Sequence, residues 1–241
     1  MSIPKITDFE ELEKYCLAKA AEGGELETEE QIEARHILED AERARHSAEV
    51  LWQWKVRKSG IPAQLENPSR KWEQIQGTEA MIKAVIEYEN DIEGNVSKGV
   101  NLIIIGGKVG TGKSRSICRV GFKMLRAGID VMFFDDKVLA ELLGMESFSD
   151  IQERDELIGK LTEIPVIILD DYGDGKYSAS AESRLHQILS VRYNKCMPIL
   201  MTGNWLDLAD MEKKVPPRIY SRLHERAIVA VNKSERDMRL G

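Results

Sequence analysis

The sequence predicts an α/β fold: a five-stranded parallel sheet between helices, preceded by a small helical domain. Three observations carry this expectation. Short β-branched runs alternate with helical patterns between residues 101 and 231, the mark of βα units whose sheet is covered on both faces. The first of these runs leads at once into a glycine-rich loop and a helical pattern. The third ends in two adjacent carboxylates, Asp170 and Asp171.

Two capping-box patterns open the chain, Thr7-x-x-Glu10 and Thr28-x-x-Gln31. After the first, Phe9, Leu12, Cys16 and Ala20 share a helical face, and Gly23-Gly24 breaks it. After the second, Ala34, Ile37, Leu38, Ala41, Ala44, Ala48 and Leu51 form a longer, weakly apolar stripe. This reads as a helical hairpin or small helical domain, with a partly helical arm as the alternative; Trp52 and Trp54 are expected in its core, or else as a partner anchor. Ser59-Gly60-Ile61-Pro62 and Asn67-Pro68-Ser69 mark a connector. The domain plan is an acidic helical domain over 1–58, partner-binding or simply solvated, a linker over 59–76 and an α/β domain over 77–241. In the last, a helix is expected over 78–92 with Gly94 as its C-cap. Strands are expected at 101–105, 131–134, 166–169, 199–202 and 227–231. The helix after the first strand carries Ile117, Val120, Gly121, Met124 and Leu125 at three- and four-residue spacing. Further helices fall at 137–143, 151–161, 181–193 and 218–226. About ten residues follow the fifth strand, too few for a helical lid.

The 241 residues are 31% charged, ordinary for a water-soluble protein. No apolar run approaches the ~20 residues of a membrane helix, and the N-terminus lacks a signal pattern, so a cytoplasmic protein without membrane partners is expected. The net charge of −7 is uneven. Residues 1–50 hold six Lys/Arg against fourteen Asp/Glu, a balance of −8, whereas residues 211–241 hold eight against four, a balance of +4. The basic end could meet phosphates of a nucleotide or nucleic acid. Cys16, Cys118 and Cys196 lie far apart, which excludes a C-x-x-C metal or redox pair and predicts buried free thiols.

Gly107-Lys108-Val109-Gly110-Thr111-Gly112-Lys113-Ser114 fits G-x-x-x-x-G-K-[ST], the phosphate-binding loop of P-loop NTPases, in its required strand–loop–helix context. The glycines let main-chain N–H groups close on phosphate oxygens, and the helix start adds unpaired N–H groups and the positive end of its dipole. Lys113 can reach the β- and γ-phosphates of ATP, and the Ser114 hydroxyl can ligate Mg²⁺. Parallel strands present their C-terminal ends to the ligand, so Asp170 is expected in the Mg²⁺ shell and Asp171 is expected to orient or deprotonate the attacking water. Thr202-Gly203-Asn204 ends the next strand, and Asn204 is expected to sense the γ-phosphate or that water. Arg218 and Arg222, four apart on one helix face, are candidates for a finger at a neighbouring subunit's γ-phosphate or for a surface pair with Glu225. Lys176-Tyr177-Ser178 offers a cation and a ring on which single-stranded DNA could stack, or is an ordinary surface loop.

These motifs resemble the AAA+ helicase loaders of the DnaC/DnaI type and, slightly less closely, the IstB transposition ATPases. The matching pieces are Ser59 to Pro62, Gly107 to Ser114, Leu169 to Gly173, Arg192-Tyr193-Asn194, Pro198 to Asn204, Arg218 to Leu223 and Lys233 to Arg236. The resemblance implies an ATPase, slow without a neighbour subunit, that self-associates through its AAA+ domain, contacts single-stranded DNA and delivers a DnaB-type replicative helicase gripped by the N-terminal helices. It implies Arg222 as the finger, Asn204 as the first sensor and Arg236 as a second-sensor or nucleotide-side arginine. Three residues depart from the pattern: Ser114 stands for a threonine, Tyr172 for an aliphatic residue and Gly203 for a hydroxyl residue. An IstB-like helper ATPase that binds duplex DNA, or a P-loop small-molecule kinase, are the competing readings.

Overall fold

A computed structural model describes residues 29–66, 75–146 and 148–237. By contacts the chain divides into two units, 1–55 and 56–241. In the first, helix α1 (Glu29–Ser59) runs on through both tryptophans, and its last turn, from Val56, belongs to the second unit. At 31 residues it is about 46 Å long. Trp54 is 55% exposed, against the expectation of a core position. The helix expected near residues 7–20 and Cys16 lie outside the described residues.

The second unit holds the sheet: β1 (Asn101–Gly106), β2 (Val131–Asp135), β3 (Val166–Tyr172), β4 (Ile199–Gly203) and β5 (Ala227–Asn232). All pair in parallel, in the order β2-β3-β4-β1-β5. The five expected strands are these five, each a residue or more longer at its C-terminal end. Around them lie α2 (Glu79–Asn90), α3 (Ile92–Lys98), α4 (Lys113–Arg126), α5 (Asp136–Gly144), α6 (Phe148–Glu163), α7 (Ala179–Asn194), α8 (Leu208–Lys214) and α9 (Pro217–Glu225). Helix α8, only seven residues long, carried too little periodicity to be read.

The expected helix over 78–92 is two helices, and Gly94 is not a C-cap. Asp91 leaves helical geometry and its carboxylate accepts the Gly94 N–H at 3.0 Å, capping a new helix. That helix ends at Gly99, whose φ of 67° only glycine adopts easily. Within the expected linker, Ser59 and Ile61 are buried, as is Val56 just before it. A Cβ at Gly121 would lie 2.7 Å from Ile168 and 2.8 Å from Ile61, so this glycine lets α4 approach β3 with Ile61 wedged alongside. Cys118 is buried as expected, but Cys196 is exposed; Arg226 Nη1 donates to its Sγ at 2.9 Å.

Every residue of β1 is buried, as a central strand covered on both faces requires. Its apolar side chains carry β1 straight to the glycine loop at its C-terminal end, beside the ends of β3 and β4.

Candidate phosphate site

The loop leaves β1 through Gly106 and Gly107 at φ 80° and 68°, and Gly110 and Gly112 follow at 80° and 90°. These left-handed turns are what a loop curling round an anion needs. Gly107, Lys108 and Val109 are exposed, Gly110 and Ser114 half-buried and Thr111 buried. Lys113 is 5% exposed, and its Nζ rests 3.3 Å from the Lys108 carbonyl oxygen. Burial lowers its pKa, while the charges of Asp171, Asp170 and Asp174 oppose that shift. The Ser114 hydroxyl forms no hydrogen bond among the described residues and is free for a ligand.

The chain after β5 supports the loop from outside. Asn232, buried, donates from Nδ2 to Thr111 Oγ1 at 3.0 Å. The Lys108 N–H donates to the Ser234 carbonyl at 3.3 Å, and Lys108 Nζ lies 3.5 Å from Glu235. Asp237 packs on Gly110. Arg236, exposed, therefore sits between two residues that touch the loop.

The carboxylates stand at a bulge. Leu169 pairs with Met201 and Tyr172 with Gly203, so Asp170 and Asp171 together face the single residue Thr202. Bulges re-aim side chains at such sites. This one puts Asp171 at φ 53°, a conformation that costs a non-glycine residue about 1–3 kcal/mol. Thr202 stitches the bulge together: its Oγ1 accepts the Asp171 N–H at 2.8 Å and donates to Asp170 Oδ1 at 2.6 Å. Sequence reasoning missed Thr202 as a participant, although a hydroxyl at a strand end beside Asn204 was the available signal. Asn204 Nδ2 reaches Asp171 Oδ1 at 3.3 Å and Asp174 Oδ2 at 3.4 Å. Burial raises the Asp171 pKa, and the neighbouring Asp170 and Asp174 charges add to this, with Lys113 opposing.

These residues fit a magnesium–triphosphate. One oxygen of Asp170 is taken by Thr202 and the other forms no hydrogen bond among the described residues. Together with the free Ser114 hydroxyl it offers two hard oxygens and leaves room for waters and phosphate oxygens, as Mg²⁺ prefers. The buried Lys113 ammonium donates to one acceptor, the Lys108 carbonyl, which leaves two of its protons for phosphate oxygens.

Two of the three departures from the expected pattern have one cause, Trp205. Its ring meets Tyr172 edge-on at 5.8 Å, and a Cβ at Gly203 would overlap it. A Cβ at Gly173 would lie 2.8 Å from the same ring. Gly203→Ala is therefore expected to lower the melting temperature by about 2–12 °C, since overpacking costs about 1–3 kcal/mol. The Trp205→Ala background should remove most of that loss in a double-mutant cycle followed by thermal melts; additive losses would contradict the contact.

Arg222 is not brought to this end. It shares a cleft with Asn101 and Ile199, the first residues of β1 and β4, so it lies about a strand length, some 17–20 Å, from the loop. It donates to Ser190 Oγ and lies over the Tyr193 ring at 5.7 Å. Glu225, the other partner considered, accepts the Tyr193 hydroxyl instead, at 2.5 Å. Arg218 is exposed and makes no hydrogen bond or ion pair among the described residues. Tyr177 is half-buried, its ring packs against the core cluster and its hydroxyl donates to Asp136 at 2.5 Å.

A family model described as IstB-like ATP binding protein matches residues 19–215. The chain belongs to this IstB-like ATP-binding family. No curated protein matches it. Among solved structures the IstB-like chain is similar to DnaI, at 18% identity and a TM-score of 0.61 over 72% of this chain and 95% of that one. It is similar to the DnaC helicase loader at 20% identity and 0.55, over 73% and 99%. AMPPCP-bound DnaA from Aquifex aeolicus gives 17% and 0.56, over 72% of this chain and 53% of that one. At these identities the likeness is one of fold, and the fold is the AAA+ sheet of DnaC and DnaA. No helix among the described residues is long and apolar enough to cross a membrane.

Proposed function

We propose that this IstB-like ATP-binding protein binds and slowly hydrolyses ATP-Mg²⁺ as an oligomer, and uses that cycle to load a replicative DNA helicase onto single-stranded DNA. One observation carries the ATPase part: a buried lysine faces a Thr202-braced pair of carboxylates at the mouth of a glycine loop. Lys113 would hold the β- and γ-phosphates, and Ser114 and Asp170 the metal. Asp171 and Asn204 would orient the water. Bound magnesium supplies charge neutralisation on the phosphates; placement by the protein does the rest.

Helix α9 lies about a strand length from this chain's own loop, so a finger arginine there would act on a neighbour's nucleotide. Arg218 and Arg222 share that role as candidates, Arg218 being free and Arg222 tied to Ser190. The helicase partner rests on the fold likeness to DnaI and to the DnaC helicase loader, and on the acidic residues 1–50 as the gripping element. Residues 1–58 would then form the partner-binding domain and 77–241 the ATPase domain. A second reading is favoured by the family model itself: an IstB-like transposition helper acting on duplex DNA.

The test has two parts. ATP turnover per chain should rise with protein concentration, and Arg218→Ala or Arg222→Ala should flatten that rise by about tenfold or more with ATP binding kept. Lys113→Ala should abolish binding of a fluorescent ATP analogue. Pull-down of a DnaB-type helicase, lost on deleting residues 1–58, supports the loader; tight duplex binding without helicase capture supports the helper.

A further inference from the structure

The loop that follows the two carboxylates is gripped by a residue with no part in the reaction as described so far. Asp136, the first residue of α5, is 0% exposed. Its Oδ2 accepts the N–H groups of Gly173 at 2.9 Å and Gly175 at 2.8 Å, and its Oδ1 accepts the Tyr177 hydroxyl at 2.5 Å. A buried carboxylate is costly unless its oxygens are filled, and here both are filled from one loop. Gly175 lies so close that a Cβ would sit 2.7 Å from the Asp136 carbonyl oxygen and 2.8 Å from Oδ2. The two gripped amides bracket Asp174, which shares the Asn204 amide with Asp171. On its other side the loop rests against Trp205 at Gly173. The Asp174 N–H closes back onto the Asp171 carbonyl at 3.1 Å, completing the turn behind the strained φ of Asp171.

We propose that Asp136 is a positioning residue for ATP hydrolysis: by holding the amides on both sides of Asp174 against the Trp205 ring, it fixes Asp171 and Asn204 in the arrangement that orients the attacking water. This rests on the hydrolysis reading above. Asp136 touches neither phosphate nor metal in that scheme, so its loss acts on turnover and not on nucleotide affinity. Asparagine keeps an oxygen for the two glycine amides and an amide group for the tyrosine oxygen, so Asp136→Asn preserves the grip, whereas Asp136→Ala removes it.

The experiment uses the full chain and two readouts. Without nucleotide, hydrogen exchange of a peptide spanning 172–177 should be about tenfold faster or more in Asp136→Ala and near wild type in Asp136→Asn, because exchange reports local opening. With ATP-Mg²⁺, Asp136→Ala should lose about 10–100-fold in kcat, the scale of a misplacement near 1 Å, with KM within about twofold and most of kcat restored by asparagine. Wild-type exchange in Asp136→Ala overturns the grip. Faster exchange with wild-type kcat overturns the positioning role, as does a loss shared equally by kcat, affinity and melting temperature. Should the alanine variant fail to fold, Tyr177→Phe carries the test, with exchange about threefold faster and a lowered kcat; wild-type values of both overturn it. Wild-type protein that turns over no ATP removes the hydrolysis reading and the positioning role together, while the exchange arm still decides whether Asp136 holds the loop.

Discussion

Asp171→Asn is expected to lower ATP turnover by about 10²–10³-fold, the range seen when one group aimed at developing charge is lost, with ATP affinity changed by less than about threefold. The substitution is isosteric, so the bulge, the Thr202 contact to the Asp171 N–H and the buried apolar strand behind it stay in place. In the proposed scheme, what changes is the ability to orient or deprotonate the attacking water; what also changes is the balance of the Lys113 charge, on which Asp171 acts more strongly than Asp170 or Asp174. Single-turnover hydrolysis and titration with a fluorescent ATP analogue measure the two quantities separately. Asp170→Asn gives the contrasting pattern, weakening Mg²⁺-dependent binding itself. If Asp171→Asn lost affinity and kept kcat, the two carboxylates would have exchanged roles.

Much of this site could be read from residue order because its parts are local. A glycine loop between an apolar strand and a helix has few alternatives, and the expected strand ends place Lys113, Ser114, Asp170, Asp171 and Asn204 on one edge of any parallel sheet. What escaped the sequence depends on contacts between distant segments. Thr202 gains its role only through the bulge in β3, and a one-residue slip in pairing leaves no trace in periodicity. Trp205 explains Tyr172 and Gly203, but only once the β4 end is folded back over the loop after β3. Asp136 reads as a first-turn helix acid, which is common; its burial beneath residues 173–177 is a tertiary fact. The misplaced helix end at Gly94 has a local cause: Asp91 competes for the main chain, as short acidic side chains do. Arg222 was matched by its helix-face spacing with Arg218 and by the family resemblance, for a role at a neighbour's nucleotide, and neither tells which end of the sheet an arginine occupies.

The same logic governs the largest expected effect on stability, at Arg192. This residue resembled part of a family motif and had no assigned role. It is 0% exposed and donates from Nη1 to the carbonyl oxygens of Leu161 and Ile164 at 2.8 and 2.9 Å, and from Nη2 to those of Pro165 and Pro198, both at 2.9 Å. Burial draws its pKa down to about 9, which leaves it charged at neutral pH. Leu161 lies in the last turn of α6 and Ile164 directly follows it, where carbonyls lack intrahelical donors and the dipole favours a cation. Pro165 and Pro198 immediately precede β3 and β4. One planar guanidinium thus pins a helix end to the starts of the two strands whose far ends carry Asp170, Asp171, Thr202 and Asn204.

Arg192→Ala is expected to cost about 3–5 kcal/mol, the range for breaking a buried charged network from one side. At about 2–4 °C per kcal/mol for a chain of this size, the melting temperature should fall by about 6–20 °C. Arg192→Lys should recover little, because an ammonium cannot match a fork built for four carbonyls. Thermal and urea unfolding measure the loss, and a shift under about 2 °C would mean that water replaces the guanidinium without penalty. Hydrolysis in any folded fraction of Arg192→Ala should fall as well. Register between β3 and β4 is set at their buried starts, and a loosened start lets the bulge that aims Asp171 slip.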